Sequence, residues 1–160
     1  MLTETDRTHL ARCVELAAHA LEQGNEPFGS RLVDAAGRVL AEEENRVGGG
    51  DHTEHPEFRL AKWAAAHLTP EARATATVYT SGEHCPMCAA AHAWVGLGRI
   101  VYASSSAELS AWRRELGLPE GRVRALPIAD VIRATPVDGP DPALSAQVKA
   151  LQIKAAARRT

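Results

Sequence analysis

Two short clusters thirty residues apart constrain this chain most: His55-Pro56-Glu57 and Cys85-Pro86-Met87-Cys88. Together they offer one imidazole, two thiols and a carboxylate that is not needed as a ligand. A catalytic zinc site asks for that set: three protein ligands, a fourth position left to water, and an acid/base group beside it. Proline fits a helix only in its first turn, where the missing N–H removes no hydrogen bond, so each cluster marks a helix start. Unpaired N–H groups and the positive end of the helix dipole gather there, and thiols ionise more easily in that setting. The fold must therefore start two helices side by side.

The rest of the chain supplies helices and strands to hold them. Residues 3–23 read as a helix: Thr3 and Asp6 resemble a capping box, Leu10, Val14, Ala17 and Leu21 share a face, and Gly24 stops it. Residues 28–34 and 38–44 read as a strand pair turned by Ala35-Ala36-Gly37, followed by a loop over 46–51 with three consecutive glycines. A helix over 55–67 has Leu60, Trp63, Ala64 and His67 on its inner face and ends at Thr69-Pro70. Then come a strand over 76–80, a helix over 86–97, a strand over 99–103 and a helix capped by the serines at 104–106. The pattern predicts a last strand over 122–126, a short helix over 128–133, a connector over 136–140 and a terminal helix over 141–158. This alternation implies an α/β chain with three layers, α/β/α: a mixed five-stranded sheet flanked by helices.

A chain of 160 residues reads as one domain, 1–160, large enough for a core without staples. The net charge of −2 gives no electrostatic footprint for nucleic acid, so nucleic acid is not an expected partner. The basic residues Lys149, Lys154, Arg158 and Arg159 read equally as a solvated helix face. No apolar run approaches the ~20 residues of a membrane span, and a cytoplasmic protein is expected. Three cysteines with one CxxC pair argue for metal or redox use over a disulfide framework. Cys13, beside Val14 and Leu16, reads as a small buried hydrophobe. Two other readings of CxxC stand beside the catalytic one. One is a thioredoxin-like redox pair; the other is a closed structural zinc site, with His52 or His84 as fourth ligand and a binding role only.

The segments Thr53-Glu54-His55-Pro56-Glu57, Ser81-Gly82-Glu83-His84-Cys85-Pro86-Met87-Cys88 and Arg99-Ile100-Val101-Tyr102-Ala103 resemble the zinc-binding region of the cytidine deaminase superfamily. Pro27-Phe28-Gly29-Ser30 and Asn45 are similar to its guanine deaminase and tRNA adenosine deaminase branch, and the resemblance covers roughly residues 5–116. It implies a cytidine-deaminase-like fold and one zinc per chain on His55, Cys85 and Cys88. Glu57 would be the catalytic acid/base. Asn45, Phe28, Gly29, Ser30, Pro56 and His84 would line the substrate.

Pro56 stands where the family usually has alanine, and His84 where it usually has proline. Ser104-Ser105-Ser106 occupies a stretch that is acidic in guanine deaminases, with Glu108 the nearest acid. The resemblance implies hydrolytic deamination of a small amino-heterocycle: a free guanine-, isoguanine-, cytosine- or aminotriazine-like base. A tRNA adenosine-to-inosine activity is the alternative. It further implies a homodimer, with the helix over 141–158 able to exchange between subunits.

Overall fold

Helix α1 (Glu4–Glu22) starts on a reciprocal cap: the Thr3 hydroxyl accepts from the Asp6 N–H at 3.1 Å, and the Asp6 carboxylate accepts from the Thr3 N–H at 2.9 Å. The structure, a computed structural model, describes residues 1–159. The inner face of α1 carries Leu10, Cys13, Val14, Ala17, Ala20 and Leu21, all buried. The hairpin β1 (Gly29–Val33) and β2 (Val39–Glu44) follows. Its turn is set by Asp34, whose carboxylate accepts from the Ala36 and Arg38 N–H groups, and by Gly37 in the left-handed region at φ 81°.

Strands β3 (Thr77–Gly82), β4 (Ile100–Ser104) and β5 (Val137–Asp138) complete the sheet, in the order β2-β1-β3-β4-β5. β1 is antiparallel to β2 and β3, whereas β3, β4 and β5 run parallel. Helix α2 (Pro56–His67) carries the chain from β2 over β1 to β3, and α4 (Pro86–Trp94) provides the crossover that the parallel neighbours β3 and β4 need. The mixed five-stranded sheet with helices on both faces agrees with the sequence reading.

Side-chain alternation sorts the two cores. Val33, Tyr79, Val101 and Ala103 point to the layer of α1, α5 (Ser106–Glu115) and α7 (Pro142–Ala157). Leu32 and Val78 point to α2 instead, against Leu60, Ala61 and Ala64. Ile100 meets Ala89 of α4 and Ile128 of α6 (Ile128–Val131).

Several local expectations change. Residues 122–126 form no strand, and their side chains are exposed. The fifth strand is instead Val137–Asp138, inside the stretch read as a connector and after α6 rather than before it. It is held by long-range partners: Val137 pairs with Ile100, Asp138 with Val101, and the Arg99 guanidinium reaches Asp138 at 2.9 Å. Thr69-Pro70, read as a stop, also starts a further helix, α3 (Pro70–Thr75), whose cap is the Thr69 hydroxyl. On α2, His67 is exposed and stacks on the half-buried Trp63 at 4.5 Å between ring centroids. Trp94 is 88% exposed at the end of α4, whereas Trp112 is buried beneath α7. Among the described residues no helix is long and apolar enough to cross a membrane.

Candidate active site

Both metal clusters sit at helix starts, as the prolines require. His55 is the N-cap of α2 and Cys85 the N-cap of α4, with Pro56 and Pro86 in the first turns. Because α2 packs directly on α4, the two ends meet. His55 Nδ1 lies 3.5 Å from Cys85 Sγ and 3.6 Å from Cys88 Sγ. The three donor atoms lie within 4.8 Å of one another, and no fourth His, Cys, Asp or Glu joins them among the described residues.

This spacing can be tested against zinc. Bonds of about 2.3 Å to sulfur and 2.0–2.1 Å to nitrogen at tetrahedral angles place an N and an S about 3.6 Å apart. Both measured N–S distances fit. His52 is exposed on its loop and His84 lies elsewhere, so neither completes a closed four-ligand site. Three donors without a fourth are the number that catalytic zinc sites use and closed structural ones do not.

The polar pairing inside the group is strong. The Cys88 thiol hydrogen-bonds Cys85 and His55 lies beside it, so the Cys85 thiol falls to about 4 despite its burial. Cys88 is held well above the ordinary thiol range, first by its bond to Cys85 and then by burial. His55 rises to about 9, chiefly through its hydrogen bond to Cys85.

Glu57 is the first member of the stripe that α2 buries, in line with Leu60, Ala61 and Ala64. Its side chain is only 6% accessible, and burial raises its proton affinity against the opposing bond from Thr80. Thr80 Oγ1 donates to Glu57 Oε1 at 2.7 Å. A carboxylate in that position, with no arginine or lysine partner among the described residues, is costly to keep. It stands two residues from one metal ligand.

Asn45 is 1% accessible. Its Oδ1 accepts from the Val47 N–H at 3.1 Å and the Glu26 N–H at 3.3 Å, which fixes the amide's orientation. Its Nδ2 is buried with no partner, so two donors stand unused. Phe28 is half-buried and lies against Gly82, where an added Cβ would meet its ring at 3.1 Å.

The other sequence candidates sit differently. Gly29 faces α1: an added Cβ would meet the Cys13 carbonyl at 2.5 Å, so its role here is close packing. Ser30 is fully buried and donates to Thr80 at 2.9 Å. Pro56 is buried in the first turn of α2. His84 is 1% accessible, meets His92 edge-on at 5.3 Å, and has no hydrogen-bond partner on either ring nitrogen. Burial and His92 keep it neutral, with its proton affinity well below the usual imidazole range.

Glu108 holds nothing in the site. It accepts from the Ser105 N–H at 2.7 Å and the Ser145 hydroxyl at 2.8 Å, capping α5 and tying it to α7. Sequence reasoning missed Thr80 and His92. The signal for Thr80 was its parity with Val78 on β3; for His92 it was the four-residue step from Cys88.

Residues 3–104 match the family described as the cytidine and deoxycytidylate deaminase zinc-binding region. A probable cytosine deaminase of Schizosaccharomyces pombe is 34% identical over 110 residues, 68% of this chain and 65% of that protein. The guanine deaminase of Bacillus subtilis is 34% identical over 99 residues, 61% of this chain and 63% of that protein. The match thus spans a little under two thirds of either relative's length. A solved guanine deaminase from Nitrosomonas europaea superposes with a TM-score of 0.72 at 20% identity, covering 98% of this chain and 86% of that one, which shows a shared fold.

Proposed function

The chain belongs to the deaminase family marked by the cytidine and deoxycytidylate deaminase zinc-binding region, and from that premise we propose that it hydrolyses the exocyclic amine of a small amino-heterocycle, a free nucleobase of the guanine, isoguanine, cytosine or aminotriazine type. The observation that carries this reading is Glu57: a buried carboxylate that is not a ligand, beside a three-donor group with a place for one more. His55, Cys85 and Cys88 would hold one zinc ion. Zinc held there supplies a site where water is acidified towards ~7 and becomes nucleophilic near neutral pH.

The side chains around it then divide the work. Asn45 offers its two unused donors to acceptors on the ring, and Phe28 packs beside the heterocycle. Glu57 takes one proton from the attacking water and passes it to the ring nitrogen, then takes the second from the added hydroxyl and gives it to the departing nitrogen. Water adds at the carbon bearing the amine, the carbon–nitrogen bond breaks, and a carbonyl and ammonia result. Glu57 ends as it began.

A small substrate suits the surface better than an RNA. Three of the four basic residues near the C-terminus are engaged within the chain: Lys149 with Glu115, Arg159 with Glu26, and Arg158 with the Leu21 carbonyl. The free thiols of Cys13, Cys85 and Cys88 suit a reducing compartment, so we assign its work to the cytoplasm. It acts as a homodimer in this account, and the exposed Trp94 on the apolar helix α4 is the surface that supports it. An ammonia-release screen of the zinc-loaded protein against purine, pyrimidine and triazine amines tests the reading. Release from one of these small amines is expected; release only from a tRNA anticodon stem-loop overturns the substrate class.

A further inference from the structure

On the α2 side of the sheet a buried file of polar groups leads to Glu57. Ser30 Oγ donates to Thr80 Oγ1 at 2.9 Å, and Thr80 Oγ1 donates to Glu57 Oε1 at 2.7 Å. Both hydroxyl residues have no accessible surface. Strand pairing builds the first link, because Ser30 and Thr80 stand directly opposite in the antiparallel β1–β3 ladder. Alternation turns both towards α2, in step with Leu32 and Val78. The stripe on α2 that buries Leu60 and Ala64 brings Glu57 down onto them.

Each hydroxyl has one proton to give. With the Ser30 proton directed at Thr80, the Thr80 hydroxyl can only donate onward. Two acceptors are within reach: Glu57 Oε1 at 2.7 Å and the Gly82 carbonyl at 2.9 Å. An ionised carboxylate is the stronger acceptor, so Ser30 biases Thr80 towards Glu57. The Gly82 carbonyl keeps the hydroxyl paired whenever Glu57 does not accept. Among the described residues Thr80 is the side chain that hydrogen-bonds Glu57.

We propose that Thr80, oriented by Ser30, is a positioning residue that holds the Glu57 carboxylate in one orientation beside the metal-binding group. The role rests on the deaminase reading above, but neither hydroxyl touches substrate. Its signature is therefore a loss in kcat with KM unchanged. Misplacement of a reacting group by about 1 Å can cost 10²-fold in rate, so Thr80→Val should lower kcat by about 10- to 100-fold. Thr80→Ser restores the hydroxyl and should recover most of kcat.

Thr80→Val also leaves the Ser30 hydroxyl without its acceptor, a buried loss that can destabilise the fold by itself. The double variant Ser30→Ala/Thr80→Val removes both groups. It should regain thermal stability and keep the kcat defect, which a purely structural role for Thr80 does not produce. Crystal structures of zinc-loaded wild type and Thr80→Val give a readout without activity. Wild type should show one Glu57 conformer, and Thr80→Val a turned or multiple one. An unmoved Glu57, or a double variant with wild-type kcat, overturns the positioning role. Silence of the wild type against every amine overturns the deaminase reading instead, with the Glu57 conformers still deciding the positioning.

Discussion

Gly29 separates a packing role from a substrate role by a single methyl group. Its resemblance-based assignment is to the substrate pocket, but its Cα faces α1. A Cβ there would stand 2.5 Å from the Cys13 carbonyl oxygen, 2.5 Å from Leu16 Cβ and 2.7 Å from the Ala17 nitrogen. All three belong to the helix itself, and none is the far end of a flexible side chain. Contacts return to ~3.5 Å only if α1 lifts from the sheet by about 1 Å, loosening Leu10, Cys13 and Val14 in the core. Overpacking costs about 1–3 kcal/mol, and backbone contacts place this case at about 3. The φ of Gly29 is not positive, so alanine is otherwise compatible and regains about 0.4–1 kcal/mol through the unfolded chain. A net loss of about 2 kcal/mol at ~2–4 °C per kcal/mol lowers Tm by about 4–8 °C.

Calorimetry of Gly29→Ala at fixed excess zinc reads this drop, because bound metal also shifts Tm. Gly121→Ala is the control: its nearest atom would be 3.8 Å away, and Tm should hold. KM should not move at temperatures where the variant is folded. A Gly29→Ala protein with wild-type Tm and a raised KM refutes the packing argument and returns Gly29 to the substrate.

Three further outcomes follow from the same geometry. After zinc is chelated, the half-buried Cys85 thiol should react with an aromatic disulfide reagent in the native protein, and Cys13 and Cys88, neither of which has accessible surface, only in denaturant; more than one thiol reactive in the native protein contradicts this burial. Asp6 is opposed by burial, yet hydrogen bonds from Arg99, Thr3 and Tyr79 hold its carboxyl well below the usual range. A depressed folded value contributes stability that is present above the unfolded value of ~3.9 and lost as pH falls through the folded one. Asp6→Asn should therefore cost about 3 kcal/mol near pH 7 by urea unfolding, with the gap to wild type narrowing in acid; a gap constant to pH 3 contradicts the network. Trp94→Asp should convert a two-chain species to one chain in sedimentation at equal protein concentration, and an unchanged two-chain mass removes α4 from the interface.

The metal site was readable because its determinants are local. Pro56 and Pro86 announce helix starts, and the adjacent His55 and Cys85 then have to be N-caps. What the sequence hid depends on partners far away along the chain. A two-residue strand at Val137–Asp138 has no pattern of its own and exists through Ile100, Val101 and Arg99. Thr80 gains its role only when the β1–β3 register sets it opposite Ser30. The exposure of Trp94 was equally hidden, because Met87–Trp94 is apolar nearly all round, with Ala89, Ala90, Ala91 and Ala93 marking no distinct inner face. The departures Pro56 and His84 proved compatible with the local fold: one is a first-turn proline, the other a buried neighbour of His92.

Glu57 is where the whole account can be tested at one atom pair. Glu57→Gln keeps the size and the hydrogen bond from Thr80 and removes the ability to carry a proton between water and amine. Zinc content and ammonia release should be measured together, on a substrate found active with the wild type. The account predicts one zinc per chain, an unchanged fold and kcat reduced about 10²- to 10⁴-fold. Full turnover in a zinc-loaded Glu57→Gln protein would contradict it.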